Sequence, residues 1–150
     1  MTIKKALDFF ESLKNEASKK REIKVYSKFL HILNELESRE FSTDELQSIE
    51  SELERLELKS YPKNRNRYFK KALHNFETYL KDSFSLTRKG HYTNLYGGLG
   101  MSFGVLFGVV VLSSFEQSLG ISLGLIFGML VGATIGRNFD SKALQEGRTL

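Results

Sequence analysis

Histidine, cysteine and paired carboxylates are the side chains most able to carry chemistry, and this chain uses them sparingly. It has no cysteine and three histidines, His31, His74 and His91, in 150 residues. Without thiols there is no disulfide framework, no thiolate nucleophile and no zinc-thiolate site. The histidines stand at no metal-ligand spacing with glutamate or with one another, and neither a P-loop nor a dinucleotide fingerprint occurs. No serine or threonine falls in a recognisable nucleophile motif. Arg67 and His74 come nearest to a reactive pair, because seven residues is about two turns of helix and puts them on one face. No catalytic residue, cofactor site or metal site is assigned, and the chain reads as a non-enzyme.

The elements that would position such side chains are helices. Ile3, Leu7, Phe10, Leu13 and Ala17 form one apolar stripe at steps of three and four, and Tyr26, Phe29, Leu30, Leu33 and Leu36 form another. The stripes differ in phase across the polar run Ser18 to Glu22, which predicts two short helices. Ser42 and Glu45 make a capping box, with Phe41 and Leu46 at the positions of a hydrophobic staple. Leu46, Ile49, Leu53 and Leu56 continue as a bundle seam. Tyr61 and Pro62 interrupt the pattern. A last stripe, Phe69, Leu73, Phe76, Leu80 and Phe84, predicts a helix from about Asn66 to Leu86, with its phenylalanines in the core. Arg67 and His74 lie on that helix, and their spacing loosely resembles the Arg and His motif of helical HEPN ribonucleases. That resemblance implies RNA cleavage by a helical effector and is the remotest functional reading.

Charge is distributed unevenly. From Tyr92 to Gly136 the only formally charged residue is Glu116, so the mean hydropathy of -0.28 averages a polar part and a lipid-soluble part. Leu95 to Leu112 and Leu119 to Ile135 carry no charge, and at about 1.5 Å per residue each approaches the ~30 Å hydrocarbon core of a bilayer. Met1 to Phe10 lacks the apolar run of a signal peptide. Arg88 and Lys89 precede the first span, Arg137 and Lys142 follow the second, and the turn Ser113 to Ser118 has no base. The positive-inside rule then puts both termini in the cytoplasm. Tyr92 and Tyr96 suit one interfacial aromatic belt and Phe115 the other.

Glycine spacing is the sharpest signal. Gly100, Gly104 and Gly108 in the first span, and Gly120, Gly124, Gly128, Gly132 and Gly136 in the second, recur at an unbroken step of four. Glycine weakens a helix in water. In lipid it allows close backbone approach, which replaces hydrophobic drive, and a partner tracking such a stripe crosses right-handed. The segments GLGMSFGVLFG and GISLGLIFGMLVGATIG resemble the glycine-zipper two-span hairpins of small bacterial inner-membrane proteins, over residues 95–137. The resemblance implies tight helix packing and no particular activity. Five glycines against three leave part of the second stripe for packing between copies, so a homo-oligomer is expected.

Phe41 to Leu58 has six acids and one base, whereas Lys59 to His91 has nine bases and two acids. An acidic helix beside a basic one satisfies this pattern at little energy per pair. Bases next to a span are also drawn to anionic headgroups, and Lys81, Arg88, Lys89 and Arg137 are the expected lipid contacts. Nucleic acid is not an expected partner, since a net charge of +4 is low for that role. The sequence therefore predicts an all-α protein. A cytoplasmic bundle of three to four helices (1–90) precedes a two-helix transmembrane hairpin (91–137) and a short cytoplasmic tail (138–150), ordered or not. The expected function is a scaffold or adaptor anchored in the inner membrane, which binds the bilayer, further copies and a cytoplasmic protein. An oligomeric pore is the alternative.

Overall fold

The structure is a computed structural model that describes residues 1–60, 64–111 and 117–150, without the side chains of 111, 117 and 118. Tyr61, Pro62, Phe115 and most of the expected turn from Ser113 to Ser118 lie outside the described residues; its last two residues, Gln117 and Ser118, begin a helix. Six helices and no strand are present among the described residues: α1 Ile3–Glu16, α2 Lys20–Glu37, α3 Thr43–Arg55, α4 Arg65–Phe84, α5 His91–Val111 and α6 Gln117–Gln145. They form two compact units, Met1–Leu86 with Leu150, and Thr87–Thr149.

In the first unit α1 packs on α2, α2 on α4, and α3 touches α1 and α4. The predicted stripes bury themselves. Phe10, Phe29 and Phe76 are fully buried, Tyr26 and Phe69 nearly so. Phe10 stacks on Phe29 at 4.1 Å, and Phe69 meets Tyr26 edge-on at 5.3 Å and Phe10 at 5.8 Å. Each such burial contributes roughly 1.5–3 kcal/mol relative to exposure.

The helix ends follow local chemistry. Thr2 caps α1, its hydroxyl accepting from the Lys5 N–H. Helix α1 stops at Ala17, whose backbone is extended, so the two out-of-phase stripes do lie on separate helices. The capping box forms: the Ser42 side chain accepts from the Glu45 N–H, and the Glu45 carboxylate accepts from the Ser42 N–H at 2.9 Å. Leu46 departs from expectation. It is 39% exposed while Ile49 and Leu53 are fully buried, so the seam begins one turn later. Helix α4 ends at Phe84, two residues early, because Ser85 turns left-handed (φ 55) and its N–H closes on the Leu80 and Lys81 carbonyls. The Tyr68 hydroxyl donates to the Leu56 and Glu57 carbonyls at 2.9 Å each, fastening the end of α3 to α4.

The second unit is an antiparallel pair, α5 and α6. Gly90 (φ +78) precedes α5 and Gly147 (φ +67) follows α6, each in a backbone conformation that side-chain-bearing residues rarely adopt. Helix α6 does not end with the apolar stretch. It runs unbroken through Asn138 to Gln145, the region that the sequence alone left between helix and disorder.

Candidate functional site

The glycines of α5 and α6 stand against each other in strict antiparallel order. A Cβ added to Gly100 would strike the Gly128 carbonyl oxygen and lie 3.1 Å from the Gly132 Cα. One on Gly104 would meet the Gly124 carbonyl and the Gly128 Cα at 2.9 Å, and one on Gly108 would meet the Gly120 carbonyl and the Gly124 Cα at 3.2 Å. Ordinary carbon contacts lie near 3.5–4.0 Å, so none of these positions has room for a methyl group. Gly132 faces the Tyr96 carbonyl and Gly136 faces Tyr92 and Thr93. This corrects the expected mismatch of five glycines to three. Gly132 meets both Gly100 and the Tyr96 carbonyl, and Gly136 lies against Tyr92 and Thr93, because close approach needs a glycine on only one side.

Both ends of the pair's open base are joined. Asp140 accepts hydrogen bonds from the Tyr92 N–H (3.0 Å), the Thr93 N–H (2.9 Å) and the Thr93 hydroxyl (2.6 Å). These amides belong to the first turn of α5, where helical N–H groups lack partners. A residue 48 positions away thus does the work of an N-cap. Tyr96 stacks on Phe139 at 5.2 Å, Tyr92 tilts against the same ring, and Lys142 lies 6.0 Å from its centroid. The Thr87 N–H donates to the Arg148 carbonyl at 2.9 Å, next to a parallel bridge between Thr87 and Thr149. None of this was foreseen. Apart from Asp140 lying three residues beyond a basic flank, the sequence held no local sign of it.

The outer surface is inverted relative to a protein packed for water. Phe103, Phe107, Val110, Phe127, Leu130 and Val131 are between 59% and 75% exposed. Both helices are long and apolar enough to cross a membrane, with mean hydropathies of 1.3 and 2.0. The polar side chains on these faces are satisfied locally: the Ser102 hydroxyl donates to the Gly98 carbonyl and that of Thr134 to the Leu130 carbonyl. An apolar groove of about 1020 Å³ runs along one side, floored by Gly100, Gly104 and Gly128 and walled by Phe103, Phe107 and Phe127.

Of the predicted lipid contacts, Lys81 is exposed near the end of α4 in the first unit. Arg88 and Lys89 are exposed before α5, and Arg137 is exposed on α6 at the same end of the helix pair. Arg67 and His74 are both exposed on α4, two turns apart. Among the described residues, no three His, Asp or Glu side chains gather as a metal site would require. Comparison with protein-family models, curated proteins and solved structures found no match.

Proposed function

We propose that the chain is a membrane-anchored helical adaptor: the α5–α6 hairpin holds it in the bacterial inner membrane, and the N-terminal helices bind a protein in the cytoplasm. One observation carries the anchor. In α5 and α6 the small residues face inward and the large apolar ones outward, an arrangement suited to lipid, where van der Waals packing must hold helices together, and unfavourable in water, where so large an apolar surface marks an interaction site. The repeated glycine contact makes the pair a glycine zipper within one chain. Arg88, Lys89 and Arg137 lie at its basic end and match anionic headgroups.

Topology is the test. The chain has no cysteine, so Ser18→Cys and Ser114→Cys can be labelled separately in intact cells with a membrane-impermeant thiol reagent. Only Ser114→Cys should react. Labelling of Ser18→Cys would refute the orientation, and labelling of neither in permeabilised cells would refute the hairpin's exposure on both sides.

Assembly of copies is supported by the apolar groove, not by leftover glycines, since these are occupied within the chain. The residues to alter are therefore Phe107 and Phe127 on the groove walls. Phe107→Leu with Phe127→Leu should lower the subunit number in nanodiscs while leaving the hairpin intact, and an unchanged number would refute assembly through this face.

A further inference from the structure

We propose that the cleft between the α1–α2 connection and the start of α4 binds a phosphate-bearing ligand. The cleft lies wholly within the first unit and holds about 910 Å³, within the range of small-molecule sites. Leu13 and Ala17 give it an apolar side. The rest is polar and mostly cationic: Lys19, Lys20, Arg21 and Arg65 against Glu16 and Glu22. Neighbouring charges of one sign in a concave wall focus a field that draws in the opposite charge. Lysine and arginine are the side chains suited to phosphate oxygens, arginine through its paired donors.

Three further observations point to an occupant. The first turns of α2 and of α4 both line the cleft. Helix α4 is capped by Asn64. Helix α2 has 18 residues and begins at Lys19 without any side-chain cap, its Glu22 N–H turning back to the Lys19 carbonyl at 2.9 Å, so no Ser, Thr, Asp or Asn oxygen caps its first turn. Oriented amides of this kind accept anions readily. Asn66, on the same wall, has its Oδ1 shut off from solvent with no hydrogen-bond partner. A buried orphan acceptor is costly, so Asn66 gains from any rearrangement of the cleft wall that brings a ligand hydroxyl or amine to its Oδ1. Tyr26 lines the cleft, and burial raises its phenol above the ordinary range, with Glu22 adding to that and Arg65 opposing it. The ring therefore stays a neutral hydroxyl able to donate to an anion at physiological pH.

The phosphate could be that of a soluble metabolite or that of a lipid headgroup, and the experiment separates them. Full-length, isotope-labelled protein in phosphatidylcholine nanodiscs is titrated with inorganic pyrophosphate. In a parallel arm the nanodiscs carry increasing phosphatidic acid. The Asn66 side-chain amide and the first-turn amides of α2 are followed by NMR. Saturable shifts confined to the cleft are expected in one arm, and that arm identifies the source. Lys20→Gln with Arg65→Gln, and separately Asn66→Asp, should weaken the binding at least tenfold. Lys71→Gln, exposed on α4 outside the cleft, should change it less than twofold. Helix content by circular dichroism verifies that each variant is folded, and the shift map of the unaltered protein stands independently of them. Absence of saturable cleft shifts in both arms would overturn the proposal. So would shifts spread over all surface lysines, or equal weakening by Lys71→Gln.

Discussion

Replacing Gly128 by alanine adds one methyl group, and local and tertiary effects then pull in opposite directions. By intrinsic propensity alone the change should stabilise a helix by about 0.8–1 kcal/mol. The structure predicts the reverse. The new Cβ would strike the Gly100 carbonyl oxygen and sit 2.8 Å from the Gly104 Cα and 2.9 Å from the Gly100 carbonyl carbon. Restoring ordinary carbon contact requires the helices to separate by roughly 0.7–1.1 Å. A gap of that size forfeits about a quarter to a half of each affected contact, and ~50 contacts at ~0.15 kcal/mol each would then lose about 2–4 kcal/mol. The net cost is about 1–3 kcal/mol once the propensity gain is subtracted. Gly98 is the internal control: it lies on the same helix pair, and nothing is within 4 Å of an added Cβ there. Gly98→Ala should be neutral or stabilising. Unfolding in mixed micelles titrated with denaturing detergent, followed by circular dichroism, measures both variants against the unaltered protein. If Gly128→Ala proved as stable as Gly98→Ala, close backbone contact would not be what holds the hairpin together.

Three other outcomes follow from named contacts. Asp140→Ala removes three hydrogen bonds from the start of α5; it should destabilise the hairpin by ~0.5–2 kcal/mol in the same assay, as loss of an N-cap does, with fraying localised to Tyr92 and Thr93 by hydrogen exchange. The backbone and hydroxyl hydrogen bonds from Ser42 hold the Glu45 carboxyl below its ordinary range, so its contribution is full above the unfolded pKa and is lost as pH falls through the depressed folded value. Ser42→Ala keeps the larger backbone hydrogen bond and removes only the hydroxyl one, so NMR titration should show the Glu45 pKa rising part of the way toward the ordinary value, and an unmoved value would refute the hydroxyl's share. The hairpin offers no ionisable side chain on its apolar faces to ease an ion out of water, so purified protein in planar bilayers should give no unitary conductance, with or without tension; reproducible steps would favour the pore.

The parts of the structure legible in the sequence are those set by neighbours along the chain. The Ser42–Glu45 box spans three residues, and the phenylalanine stripe of α4 needs only helical periodicity. The glycine step of four likewise marks a face without knowledge of the partner. Other features depend on which backbone arrives opposite. Gly132 and Gly136 look like an excess when glycines are counted, yet their partners are the carbonyls of Tyr96 and Tyr92, which any residue type supplies. Asp140 looks like one charge in a polar tail because the amides it receives lie 47 and 48 residues back. Leu46 fits the apolar spacing of α3, but where a stripe meets the core depends on how far the neighbouring helices extend. The cationic cleft is assembled from two segments, 13–26 and 64–66, far apart in the chain, and neither has a motif of its own.

The three hydrogen bonds at Asp140 also bear on the order in which the helix pair is completed. Helix α5 is synthesised first, and its leading amides have no acceptor from this carboxylate until residue 140 has been made. The bonds then form only when the second helix lies antiparallel to the first. Completion of the pair is therefore marked by a bond that neither helix can make alone. A chain halted after the first apolar segment would lack the carboxylate that receives the Tyr92 and Thr93 N–H groups and the glycines that face Gly100, Gly104 and Gly108.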